Sequence, residues 1–178
     1  LAADQPWDAF LQVDLTGSPQ PAAGVEDWAG RLVQMYRRWA RARRMRLEVL
    51  RDRRDASRRG VPGGAHGPGE AGPGWRWLAS VSGLAAWTLL RGEDGVHVWE
   101  QPETDGAAPR LQARVRVVPR PADLDGDALQ VARRTLDAPS PGSLRIVRVY
   151  RAEPAPLGRD RLGGWRSGRL ERVLAGHF

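Results

Sequence analysis

Polar and hydrophobic residues alternate from Trp7 to Leu15, with Phe10, Leu11, Val13 and Leu15 in a period that predicts a strand. Gly17 to Gly24, rich in Gly, Pro and Ala, breaks that pattern. From Glu26 to about Arg46 the period becomes helical: Trp28, Leu32, Met35, Trp39 and Ala42 fall on one apolar stripe. Glu26 and Asp27 stand in the first turn, where the positive end of the helix favours acids. Arg37, Arg38, Arg41 and Arg44 line the other side, and the aromatic residues of the stripe read as core.

Further along, Leu47 to Leu50 reads as a short strand, followed by an aperiodic run from Arg51 to Gly74, first Arg-rich and then Gly/Pro-rich, expected to form a flexible surface loop. Its glycines do not form a phosphate-binding P-loop, which ends in Lys-Ser/Thr, because the chain has no Lys. Trp75 to Ser82 and Ala85 to Leu90 read as paired strands, Val96 to Glu100 and Leu111 to Val118 as two more, and Leu144 to Tyr150 as another. Asp127 is placed to cap a short helix through Leu136, and Arg169 to Ala175 forms a terminal helical turn closed by Gly176. The predicted class is α+β, an antiparallel sheet packed on one long amphipathic helix.

The charge changes the picture. The formal net charge is +7, and all 28 basic residues are Arg. A genome rich in G and C accounts for Arg in place of Lys, but not for where the charges sit. Residues 31–59 hold 12 Arg against Glu48, Asp52 and Asp55, while the rest of the chain is slightly acidic. Such a block is either a solvated helix face or a surface for a polyanion, since arginines on one face release counterions from a phosphate backbone. The absence of Cys excludes disulfides, zinc thiolates and thiol nucleophiles, and His66, His97 and His177 are too dispersed for a local metal cluster. No apolar run approaches the ~20 residues that cross a bilayer, so a cytoplasmic protein is expected. No Gly-x-Ser-x-Gly or His-Glu-x-x-His motif occurs, and an enzyme is not expected.

Three blocks, in order, resemble the class-I bacterial peptide chain release factors, which recognise stop codons on the ribosome. Glu26-Asp27-Trp28-Ala29, Met35-Tyr36-Arg37-Arg38-Trp39-Ala40 and Leu47-Glu48-Val49-Leu50 are similar to the helix and following strand of the codon-recognition domain, closest to the UAA/UGA-reading subtype. Val81-Ser82-Gly83 with Gly95-Val96-His97 resembles a strand pair running into Gly-Val-His-Arg, with Val98 in place of that Arg. Val147-Arg148-Val149-Tyr150, Arg159-Asp160-Arg161-Leu162-Gly163 and Leu170-Glu171-Arg172-Val173-Leu174 resemble the family's closing segment. The resemblance implies a codon-recognition core over residues 1–120 (with 51–74 as the loop), a linker over 121–143 where the family carries its catalytic domain, and a segment, 144–178, completing the core. The family's Gly-Gly-Gln does not occur in the sequence, and neither does the His-Thr-Ser that would fall near Arg110 to Ala113. Pro102-Glu103-Thr104 either matches the Pro-x-Thr codon-reading tripeptide or is a surface turn; with Glu26 and His97 it makes up the codon-reading remnant.

The expected function is therefore binding of the ribosome or structured RNA, related to termination or rescue, without peptidyl-tRNA hydrolysis. The expected phosphate contacts are Arg31, Arg37, Arg38, Arg41, Arg43 and Arg44 on the helix, with Arg51, Arg53, Arg54, Arg58 and Arg59 in the loop. No cofactor, metal or membrane partner is expected. The rival reading is a repurposed fold acting as a protein-interaction scaffold, or as a subunit beside a separate hydrolase. Eight Trp against two Phe and two Tyr would serve that role if several were exposed, or would fill the core in place of scarce Phe and Ile.

Overall fold

The computed structural model describes residues 7–15, 24–52, 76–102, 110–122, 126–137 and 145–178. These form β1 (Ala9–Asp14), α1 (Val25–Ala42), β2 (Arg46–Asp52), β3 (Arg76–Ser82), α2 (Ala86–Leu90), β4 (Gly95–Glu100), β5 (Arg110–Pro119), α3 (Ala128–Asp137), β6 (Ile146–Arg151), β7 (Leu157–Asp160), β8 (Arg166–Ser167) and α4 (Leu170–Leu174). The strands join one sheet in the order β2-β3-β1-β5-β4-β6-β7-β8.

The period-2 rule sorts the sheet's side chains onto two faces. Ala9, Leu11 and Val13 of β1, Trp77, Ala79 and Val81 of β3, and Leu111, Ala113, Val115 and Val117 of β5 meet Trp28, Leu32, Met35, Tyr36 and Trp39 of α1 in the main core. Tyr150 of β6 and Leu170, Val173 and Leu174 of α4 belong to that same core. The opposite face is covered in part by α3, where Ala132 and Leu136 pack on Phe10 and Leu78. Asp127 caps α3 by accepting the Leu129 amide hydrogen at 3.0 Å. β1 is therefore enclosed from both sides and buries all six residues, polar Gln12 and Asp14 included.

Four features depart from the sequence reading. The sheet is mixed rather than antiparallel, because β4 and β6 run parallel and are joined by a crossover through β5 and α3. Ala85 to Leu90 is not a strand: Ala85 turns into the left-handed region at φ 58° and the apolar run that follows closes as α2. Among the described residues the helical layer is not one long helix alone: α1 has 18 residues, α3 and α4 stand where a short helix and a terminal turn are expected, and α2 is added to them. Arg51 and Asp52 extend β2 instead of opening the loop, and residues 53–74 of that predicted loop lie outside the described residues. No described helix is long and apolar enough to cross a membrane.

Candidate nucleic-acid interface

The apolar stripe of α1 faces the sheet and leaves its arginines outward. The helix ends in a Schellman turn: Met45 N–H donates to the Ala40 carbonyl at 2.9 Å and Arg44 N–H to the Arg41 carbonyl at 3.1 Å. Such a turn needs a left-handed residue after the cap, usually Gly, and here Arg44 holds that place at φ 55°. The reversal brings β2 back along α1, so Leu47 and Val49 face the helix side of the sheet beyond its edge.

A groove of about 850 Å³ lies between the two elements. Arg37, Arg38, Arg41 and Arg44 line it from the helix and its turn, and Arg46 from β2. Ala40, Met45, Leu47 and Val49 supply its apolar lining, and among the described residues no Asp or Glu contributes to its wall. Arg46 also pairs with Glu48 at 3.3 Å, a contact exposed at both ends that holds Arg46 only weakly. The arrangement concentrates positive charge on a half-apolar, concave surface, which suits a polyanion that also carries apolar faces.

The other predicted phosphate contacts are not in this groove. Arg31 stacks over Trp99, 5.0 Å from the ring centre, and lines a second groove shared with Glu26, Asp27 and Glu171. That mixed charge suits a polyanion poorly. Arg43 stacks on Trp39 and donates to the main-chain oxygens of Gly176 and Phe178 at 3.2 and 3.1 Å, clamping the C-terminal segment. Arg38 reaches both grooves, and its guanidinium donates to the Leu174 carbonyl at 3.4 Å. Arg51 is half-buried in β2, and Arg53, Arg54, Arg58 and Arg59 lie outside the described residues. Sequence reasoning left out Arg46, which the start of the strand places beside the helical row.

The codon-reading remnant divides. Gly24 lies beside Gln101, so the α1 N-terminus, with exposed Glu26, and the end of β4, with exposed Pro102, meet at one corner. Glu103 and Thr104 lie outside the described residues. His97 does not reach that corner, because it is fully buried on the core side of β4. Its Nε2 donates to the Glu93 carbonyl at 3.0 Å, which can only accept, so Nδ1 accepts from the Tyr150 hydroxyl at 3.1 Å. Burial first, and the nearby Arg148 charge second, hold its pKa down at about 3. A neutral, doubly partnered core histidine has no face free for a base.

His97 belongs to a buried polar cluster that the sequence did not announce. Arg148 donates to Glu93 at 2.5 Å and to Asp160 at 3.2 Å. Tyr36 donates to the other Glu93 oxygen at 3.0 Å. The guanidinium lies between the rings of Trp165 and Phe178, 5.0 and 4.4 Å from their centres. Burial pushes the Glu93 carboxyl up against the pull of Arg148, and pushes the Tyr36 hydroxyl well above its ordinary value. The cluster ties α1, the 3-10 turn at Arg91–Glu93, β6 and β7 together without opening to solvent. Among the described residues, no group of three His, Cys, Asp or Glu converges as a metal site.

Tryptophan exposure bears on the scaffold reading. Trp28, Trp39 and Trp77 are buried, and Trp87, Trp99 and Trp165 are half-buried. Only Trp7, at 58%, is exposed among those described. The rings mainly fill the core that Phe and Ile would otherwise occupy.

Comparison with known proteins follows the same lines. Residues 22–111 match the family described as the PCRF domain, a span covering half the chain. The fold is similar to RF2 of Thermus thermophilus, with a TM-score of 0.60 at 18% identity. That similarity covers 96% of this chain and 65% of the other, so about a third of RF2's length lies outside the match.

Proposed function

The chain belongs to the PCRF-domain family, and from that premise we propose that it binds the ribosome or structured RNA in a role related to translation termination or rescue, without hydrolysing peptidyl-tRNA. The observation that carries the reading is the groove between α1 and β2, where five arginines converge with no acid among the described residues of its wall. Arginines held on a helix and a strand start from fixed positions, so less ordering is lost when they meet phosphate.

The non-hydrolytic part rests on the sequence between β5 and β6. Resemblance to release factors places a catalytic domain with Gly-Gly-Gln there; this chain has a short connection containing α3, and no Gly-Gly-Gln in its sequence. Reading of UAA or UGA is the finer proposal. It rests on the likeness of the α1 and β2 blocks to that subtype, while Pro102-Glu103-Thr104 follows the UAG reader's pattern and buried His97 adds no support. The test combines pelleting with peptide release on ribosomes carrying either a stop or a sense codon in the decoding site. The expected outcome is saturable, salt-sensitive pelleting and no peptide freed. Peptide release would overturn the non-hydrolytic reading, and absence of pelleting at low salt would overturn ribosome binding.

A further inference from the structure

We infer that the α1–β2 groove receives an unpaired RNA strand, with a base laid on its apolar floor and the flanking phosphates on its arginine rim. The inference rests on reading the groove as a polyanion site and adds what kind of polyanion enters. Its starting point is the two-part lining. Met45, Leu47 and Val49 are not hidden under the helix: Val49 is 40% exposed, and Met45 and Leu47 are half-exposed. They sit within the wall formed by Arg37, Arg38, Arg41, Arg44 and Arg46.

A site for phosphate alone has no use for uncovered apolar positions among its cations. A duplex does not cover them either, because its base faces are stacked on one another and its outer surface is sugar and phosphate. A single strand presents both chemistries together: bases with free flat faces, and one negative charge for each nucleotide. Arginine serves both, since its planar guanidinium forks onto phosphate and also stacks on a base. The size agrees, because about 850 Å³ lies in the range of pockets that enclose a compact ligand. Along the rim, Arg37 to Arg41 spans four residues, or about 6 Å of helical rise, and Arg44 on the turn carries the row on toward Arg46.

Arg44 is a second and independent observation. Its left-handed backbone is a position that Gly fills without strain, yet the chain keeps a guanidinium there, at the point where helix and strand walls meet.

The probes are a short single-stranded RNA, a hairpin duplex carrying the same number of phosphates, and inorganic polyphosphate of matched charge. Binding is read by competition against a fluorescent single strand over a salt series. The single strand is expected to bind at least about tenfold more tightly than either competitor. Val49→Trp, which turns the floor into an aromatic platform, should tighten single-strand binding about tenfold relative to polyphosphate. Because that is a gain, misfolding cannot produce it. Val49→Ser should weaken the single strand alone. Equal binding of all three probes, with both variants indifferent, would overturn the unpaired-strand inference and leave the polyanion reading standing. Failure of every probe to bind would overturn both.

Discussion

Replacing Arg44 with glycine separates stability from binding at one position. Arg44 occupies the left-handed place of the Schellman turn at φ 55°, where a residue with a Cβ costs roughly 1–2 kcal/mol. Glycine removes that strain but loses more backbone freedom on folding, a penalty of roughly 0.5–1 kcal/mol. The difference leaves R44G more stable by about 0.5–1 kcal/mol. For a chain of this size that raises the melting temperature by about 1–4 °C. The same change removes one of five guanidinium groups from the groove. A lost charge-assisted contact of about 1.4 kcal/mol weakens RNA binding tenfold, and the salt slope falls by about 0.7 for a single strand. Urea titration reads the first effect and fluorescence anisotropy across salt reads the second. Arg44→Ala keeps the Cβ and the strain, so it should lose binding without the gain in stability. An R44G protein less stable than the parent would refute the strain argument; one that is more stable yet binds RNA with unchanged salt slope would refute Arg44's place in the site.

Three further outcomes follow from the interior. His97 stays neutral in the fold down to about pH 3, while an unfolded chain protonates it near pH 6.5. The unfolded state therefore binds more protons across that window, and stability falls as the pH drops below about 6.5, by about 1.4 kcal/mol per pH unit once His97 is charged in the unfolded chain. Glu93, shifted upward by burial, acts in the opposite sense around and above the ordinary carboxylate range, so urea stability of the parent and His97→Gln should be compared over pH 4–7; matching pH profiles would contradict the assignment. Arg148→Met leaves Glu93 and Asp160 buried without their counter-charge and should cost roughly 3–5 kcal/mol, partly recovered by adding Glu93→Gln; a neutral R148M in urea melts would count against the cluster. Gly176 sits at φ 90°, and an added Cβ would stand 2.5 Å from the Trp39 nitrogen, so Gly176→Ala should lower the urea midpoint by the equivalent of about 3 kcal/mol, with a midpoint near the parent's refuting that close approach.

The elements legible in the sequence are those whose signal is local. The stripe from Trp28 to Trp39 identifies α1 because only a helix aligns those spacings, and alternation marks β1, β4 and β5 in the same way. Ala85 to Leu90 misleads because a short apolar run satisfies a strand as well as a helix turn, and only the left-handed Ala85 decides between them. β7 and β8, of four and two residues, are too short to carry a period. The parallel pairing of β4 with β6 depends on what fills the edge of the sheet, which no local pattern encodes.

The site divides along the same line. The arginine block declares its charge in the sequence, but the end of α1 decides which arginines share a groove. The turn at Arg44 brings Arg46 into the groove with Arg37 and Arg41, while Arg43 is drawn off to the C-terminal segment. His97 reads as a family residue at its position, yet its fate is set by Tyr150, more than fifty positions away. The buried cluster gathers residues from Tyr36 to Asp160, a separation across which sequence spacing carries no information.

The most direct test of the account is the salt dependence of ribosome binding for the parent protein and for a variant carrying Arg37→Glu, Arg41→Glu and Arg44→Glu together. All three side chains face solvent or are half-exposed, so the variant should keep its fold by circular dichroism. The parent should pellet with ribosomes at low salt and be released steeply as salt rises, while the variant should fail to pellet at any salt. A folded variant that pellets with the parent's affinity and salt slope would contradict the claim that this groove is where RNA binds.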